Sequence, residues 1–456
     1  MSTVLHSPSS VALAGSPVGR PLPAARRLAA FGRPLVLALA PLLAISVAAC
    51  GVEKPASTSD AGGKSDGGGQ APRNAASATG LAVLSSDYDL STSVALYDPA
   101  TGQLRDDCVH SGVTGTNMKQ ALSGDVTLPG QTQHSGDLTV IDRVNATITL
   151  VDPSSCQPRL QFSVSTGGFK SNPHDVISVS SEKLYVTRYE RNAAATDAAD
   201  DFDDGDDILV VNANTGDIMK SIPLSGEVDA SLQARPDRGV LAEGRVYVTL
   251  SAISGDFAST GPGRVVVIDP ATDAVVGGID LAHQKGCSAI DYHPAVKKLY
   301  VSCGGAFSDG AEQAKGSALV EIDLSGETPA LTRTIPADLV GGQPINFSYV
   351  AVLGDVAFVG TLGSFPDAKT GSPGTSDAFY AALLNGSTAI KVLDGGAYNL
   401  GRATVDGTRQ RVFLPDGNFT TPRVRVYGVS AAGATESSSF ESNPAGHLPP
   451  REVVWY

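Results

Sequence analysis

Val265-Val266-Val267-Ile268-Asp269-Pro270 is the phrase on which the fold of this chain turns. A run of β-branched residues closed by Asp-Pro reads as a buried strand entering a turn. The phrase returns at Val94-Ala95-Leu96-Tyr97-Asp98-Pro99, Ile148-Thr149-Leu150-Val151-Asp152-Pro153, Ile208-Leu209-Val210-Val211-Asn212 and Ala318-Leu319-Val320-Glu321-Ile322-Asp323. Its turn residues at 98, 152, 212, 269 and 323 are spaced by 54, 60, 57 and 54. Two weaker copies follow, at Phe379–Asn385 and Val424–Gly428. A second series precedes each copy: Leu81–Leu84, Leu138–Ile141, Leu184–Thr187, Val246–Thr249, Leu299–Ser302, Val356–Val359 and Val412–Leu414. Both series count seven. A period of this size with four strands per unit predicts an all-β, seven-bladed β-propeller.

Composition agrees with that architecture. Among 456 residues there are 50 Gly and 28 Pro but 3 Met and 1 Trp, which favours short strands and turns over long amphipathic helices. With 42% hydrophobic and 18% charged residues the chain has the means to bury a large core, so disorder throughout is excluded. A formal charge of −14 excludes a surface built to neutralise phosphates, and with it nucleic acid as a partner.

In later units an innermost strand comes before the Leu-Tyr-Val strand, at Asp175–Ser180, Ala289–Tyr292 and Phe347–Leu353. Nothing comparable precedes Leu81. Arg451-Glu452-Val453-Val454-Trp455-Tyr456 is strand-like and has no unit of its own, so it is expected to complete the first blade and close the ring.

Residues 1–49 hold four arginines and no acid, and end in the apolar run Pro34–Ala49, the pattern of a signal peptide. Val47-Ala48-Ala49-Cys50-Gly51 resembles the lipobox of bacterial lipoproteins, which implies lipidation (palmitate among the acyl chains) at Cys50. Removal of residues 1–49 changes the charge from −14 to −18. Residues 51–79 are Gly, Ser, Ala and Asp without an apolar cluster, so 50–79 read as the lipidated Cys and a flexible tether, and 80–456 as the propeller. Gly63-Lys64-Ser65 lacks the glycine and strand of a phosphate loop. Gly51 in place of Asp follows, by resemblance, the sorting of lipoproteins to an outer membrane or cell surface.

The Leu-Tyr-Val-Thr and Val-Ile-Asp-Pro-Ala-Thr-Asp elements resemble the repeat of the YVTN family of β-propellers, found in bacterial surface proteins and in lactonase-like proteins. The likeness is strongest over residues 172–325 and fades after 340. The anchor, the tether and the lack of a catalytic signature point to a membrane-anchored envelope protein whose propeller binds or scaffolds a protein or glycan; the resemblance implies the alternative, a lactonase-like hydrolase with a channel-mouth site, with or without a divalent cation.

Four cysteines remain beyond Cys50. Cys287 and Cys303 flank a turn at His293-Pro294 and face each other across a hairpin, which leaves Cys108 and Cys156 as the second pair. Propeller ligands meet the channel mouth, where inner strands begin; this maps to His174, Asp175, Arg235, Asp291, Gln343, Asn346, Asn399 and Arg402. A His beside an Asp has the chemistry of a general base, although such pairs also serve simply to satisfy backbone groups. The acidic run at 197–207 offers Asp203, Asp206 and Asp207 as oxygen ligands for Ca²⁺. Its order departs from the Asp-x-Asp-x-Asp-Gly loop, so a solvated acidic loop stands as the alternative. GxSxG and HExxH signatures are absent from residues 80–456, as are tryptophan-rich docking repeats.

Overall fold

A computed structural model describes residues 79–456, apart from 116, 197–201, 367–370, 372, 387 and 431–432. The signal segment, Cys50 and the tether lie outside the described residues. The chain forms seven four-stranded antiparallel sheets arranged as the blades of a propeller. Blade 1 runs from the centre outward as Pro450–Trp455, Leu81–Ser86, Thr92–Tyr97 and Leu104–His110. The C-terminal strand therefore closes the ring, pairing Leu81 with Trp455 and Leu84 with Glu452. Blade 2 opens with a two-residue inner strand, Val126–Thr127. The inner strands of blades 3 to 7 are Pro173–Ser178, Pro236–Ala242, Cys287–His293, Ala351–Leu353 and Thr404–Asp406. Short 3-10 turns are the only helical elements among the described residues, and none of these is long and apolar enough to cross a membrane.

The burial of each strand explains its composition. Second and third strands are sandwiched on both faces, so Leu81–Ser86 is buried at every position and Arg264–Asp269 at its four central ones. Continuous apolar runs suit such strands. Outer strands face solvent: Ala274–Asp280 buries only Ile279.

The recurring Asp or Asn works through its side chain. Asp98 Oδ1 accepts the N–H of Ala100 at 2.7 Å, Asp269 Oδ1 that of Ala271 at 2.9 Å, and Asn212 Oδ1 that of Asn214 at 2.9 Å. Four residues on, Gly102, Cys156, Gly216 and Asp273 each have positive φ, and each donates its N–H back to the turn carbonyl at 2.7 to 2.9 Å. One turn geometry thus ends the third strand of blades 1 to 4. In blade 2 its left-handed position is taken by a cysteine.

Both expected disulfides are present. Cys287–Cys303 joins direct partners of the inner hairpin of blade 5. Cys108–Cys156 ties the outer strand of blade 1 to the outer turn of blade 2.

Antiparallel order gives each blade two ends. The connection from second to third strand, and that from outer strand to the next inner strand, emerge together on what we call the upper rim. The two other hairpins form the lower rim, where Thr79 donates its N–H to the Tyr456 carbonyl at 2.9 Å.

Candidate functional site

Between its short inner strand and Leu138, blade 2 sends Leu128–His134 across the axis of the ring. Arg238 of blade 4 donates from Nη1 to the Leu128 carbonyl at 2.7 Å and from Nη2 to Thr127 Oγ1 at 2.6 Å. From blade 7, Arg402 donates to the carbonyls of Leu128 and Pro129 at 2.9 and 3.2 Å. Glu452 of blade 1 accepts the Leu128 N–H at 3.0 Å and the Thr127 hydroxyl at 2.6 Å. Asp175 of blade 3 accepts the Gly130 N–H at 2.9 Å, and Gln131 Oε1 takes the N–H of Leu241 at 2.8 Å. Further along, Ser178 Oγ accepts the His134 N–H at 3.0 Å. A Cβ on Gly130 would stand 3.2 Å from Asp175 Oδ2 and 3.3 Å from the Gly239 carbonyl, so only the smallest residue passes here without displacement. The centre of the propeller is occupied by its own chain.

This crossing accounts for several of the expected site residues. Asp175 is fully buried and also receives the Gly239 N–H of blade 4 at 2.8 Å. In blade 5, Asp291 has the same posture, taking its own Tyr292 N–H at 2.9 Å and the Val352 N–H of blade 6 at 3.2 Å. Burial pushes the Asp291 carboxyl up to about 6 against those two bonds and the nearby Arg402.

His174 lies 3.0 Å through Nδ1 from Asp237 Oδ1 and stacks on Tyr189 at 4.1 Å. Burial alone would raise Asp237. The charges of His174 and Arg238, with hydrogen bonds from His174 and Ser288, more than offset it and bring the carboxyl down to about 2. Asp237 is therefore ionised and accepts from both His174 and the Ser288 hydroxyl. The carboxylate sits between histidine and serine, so the serine proton is directed to Asp237, whereas a nucleophile–base pair would direct it to the imidazole. Asp175, the sequence neighbour of His174, belongs to the crossing.

Arg235 stands farther out. It is buried, pairs with Glu190 at 3.0 Å, and lies over the rings of Tyr189 at 5.0 Å and Phe257 at 4.0 Å. His174, Tyr189, Arg235 and Phe257 make one stack from the centre to the upper rim. Gln343 Oε1 accepts the Thr361 hydroxyl at 3.1 Å, and Asn346 Oδ1 the Ser348 N–H at 2.9 Å. The Asn399 carbonyl accepts the Gly417 N–H at 2.7 Å. These three hold upper-rim connections; they do not join His174.

The three aspartates of the acidic run point to different partners. Asp203 faces the Thr196 N–H at 3.1 Å. Asp206 Oδ2 takes the Ala234 N–H at 3.0 Å and Oδ1 that of Arg235 at 2.5 Å, while burial pushes its carboxyl up to about 6. Asp207 forms a two-pronged pair with fully buried Arg188, at 2.7 and 2.6 Å. Asp206 and Asp207 belong to the strand Gly205–Asn212, where side chains at successive positions point to opposite faces, so the run is half strand. Among the described residues no group of three His, Cys, Asp or Glu is placed to hold a metal ion; residues 197–201 lie outside that statement.

Asp237, Arg238, Glu452 and Ser288 were missed by sequence reasoning. A signal for two of them existed. Asn172-Pro173-His174-Asp175 and Arg235-Pro236-Asp237-Arg238 are equivalent: Asn172 and Arg235 both have positive φ, at 51° and 49°, and each precedes the proline that opens an inner strand. Arg238 thus stands where Asp175 stands one blade earlier.

The exposed aromatic side chains are Tyr88, Phe257, Phe307, Phe365, Tyr398 and Phe419 among the described residues. All six lie on upper-rim connections. Phe365 and Tyr398 pack against each other at 5.0 Å.

No known family profile matches the chain, and no curated protein matches it. Solved structures do resemble it. The Cps50 (Swd1) β-propeller domain of Myceliophteria thermophila aligns with TM-score 0.52 at 13% identity, covering 80% of this chain and 98% of that one. A protein of Bacteroides fragilis provisionally named as a 6-phosphogluconolactonase aligns with TM-score 0.49 at 10% identity, over 85% and 100% of the two chains. A counterpart from Bacteroides uniformis gives 0.48 at 12%, over 83% and 100%. At these identities the first likeness is one of fold alone, and the two lower scores carry no argument.

Proposed function

We propose that this chain is an exported protein, lipid-anchored through Cys50 in the cell envelope, whose propeller binds a protein partner with its upper rim. The observation that carries the reading is the placement of all six exposed aromatic side chains on that rim. Aromatic residues dominate the energetics of protein interfaces, and their collection on one end of a disc marks that end. The tether joins on the lower rim, through Thr79, so an anchored molecule has its aromatic end on the side away from the attachment. The crossing at Leu128–His134 argues in the same direction, because Asp175 and Arg402 are committed to holding it. That places the hydrolase reading second.

The test is photo-crosslinking in native membranes from probes at Phe307, Phe365 and Phe419, with Met219 and Val276 on outer strands as controls. One recurring partner from the rim positions and none from the controls is the expected result; equal or absent labelling overturns the binding reading. The anchor is tested separately. Cys50→Ser should move the protein from the detergent phase to the aqueous phase.

A further inference from the structure

Arg451 is 8% exposed, at the upper end of the strand that closes the ring. Its Nε donates to the Ser86 carbonyl at 3.1 Å. Among the described residues its two terminal amino groups have no hydrogen-bond partner and no carboxylate at ion-pairing distance. The buried Arg188 and Arg235 and the half-buried Arg238 and Arg402 do have one: Arg188 has Asp207, Arg235 has Glu190, Arg238 has Asp175 and Arg402 has Glu452. A buried cation left without a counter-charge is costly unless something supplies one.

The guanidinium is flanked by two rings from neighbouring blades. It lies 4.6 Å from the centroid of Tyr88 and 5.4 Å from that of Phe419. Tyr88 is 50% exposed and Phe419 70%. Gly417 forms the floor: a Cβ there would come within 3.0 Å of Arg451 Nη1. Burial pulls the Arg451 pKa below its ordinary value, opposed by Tyr88 and Asp87.

We propose that Arg451, Tyr88 and Phe419 form a slot for a carboxylate on an apolar stem, an acidic side chain that the partner protein presents among apolar neighbours. The inference rests on the upper-rim binding reading and names what that rim recognises. A planar, singly charged carboxylate matches one guanidinium fork between two rings. A phosphate dianion would bring a second negative charge towards Asp87, and among the described residues no second free cation is at hand, since Arg143 is paired with Asp125. An acidic sugar would need partners for its ring hydroxyls, where the walls are two aromatic rings.

The probes are 3-phenylpropionate, 3-phenylpropanamide, phenyl phosphate and galacturonate, titrated calorimetrically into the full chain in detergent. The expected result is binding of 3-phenylpropionate alone, weakened about ten-fold or more by Arg451→Lys and by Phe419→Ala, the scale of a lost charge-assisted hydrogen bond or an aromatic wall. Phe419→Ala alters an exposed residue and decides the matter should Arg451→Lys fail to fold. Equal binding of the amide, indifference to both variants, or no binding by the wild type overturns the slot. Tighter binding of phenyl phosphate or galacturonate overturns the acidic protein ligand. A partner crosslinked from Phe419 and indifferent to Arg451→Lys leaves the binding rim standing and removes the slot. Probe binding without any crosslinked partner does the reverse.

Discussion

Asp206 takes backbone N–H groups from the connection leading into blade 4, and Asp291 takes one from blade 6, yet burial pushes both carboxyls up to about 6. A raised carboxyl binds a proton in the folded state that the unfolded chain has already lost, so its contribution to stability declines as pH rises from about 4 to about 6. At about two units each, the penalty for keeping either one ionised is about 3 kcal/mol at neutral pH. Asp206→Asn is therefore expected to gain on the wild type by about 2 kcal/mol between pH 4.5 and 7.5, since about 1 kcal/mol of the penalty is already present at the lower pH, measured as the difference in denaturant midpoints at each pH. A difference that does not change with pH would remove the argument. Asp237 runs the other way: held down to about 2, it stabilises the fold at all pH above its ordinary range and loses that contribution only towards pH 2.

The crossing at Leu128–His134 and the two disulfides act at the level of elements. Arg238→Ala removes the cation shared by Asp175 and Glu452 and leaves the Leu128 carbonyl with Arg402 as its one remaining side-chain donor. A loss of about 3–5 kcal/mol is expected, with faster amide exchange at Leu128 and Gly130 than at the buried second strands. Replacing both cysteines of the Cys108–Cys156 pair opens a loop of 48 residues, and replacing the Cys287–Cys303 pair one of 16. Chain entropy puts the costs at about 4 and about 3 kcal/mol. Denaturant melts should rank the two double variants in that order. The Asp and Asn turns and the pairing across the blade 5 hairpin were legible in the sequence because their causes are local: Asp98 acts on Ala100, two residues away. The crossing was not legible. Pro129-Gly130-Gln131-Thr132 reads as an ordinary loop, and its anchors Arg238 and Glu452 lie 110 and 325 residues away.

At the scale of the molecule, periodicity disclosed the blade number and the fate of the last strand, since a missing inner strand at one end and a spare one at the other have a single economical solution. What the period could not disclose is the interior of the ring, where equivalent positions carry opposite charges, Asp175 in one blade and Arg238 in the next. The same limit applies to the upper rim. Its aromatic residues sit in connections of unequal length, and only folding brings Tyr88 and Phe419 to either side of Arg451.

Closure by Pro450–Trp455 also imposes an order in time. The ribosome releases Leu81–Ser86 first, with its inner edge bare, and that edge waits through the making of six further blades before its partner exists. A strand edge left open in this way is an invitation to pair with another chain. Ending translation before Pro450 should accordingly yield protein that collects in aggregates, even though every other strand of the ring has been made; soluble, monomeric product on a sizing column would show that the last strand is dispensable. The propeller is in this sense closed only after six further blades have been made, and its first blade is also its last to be finished.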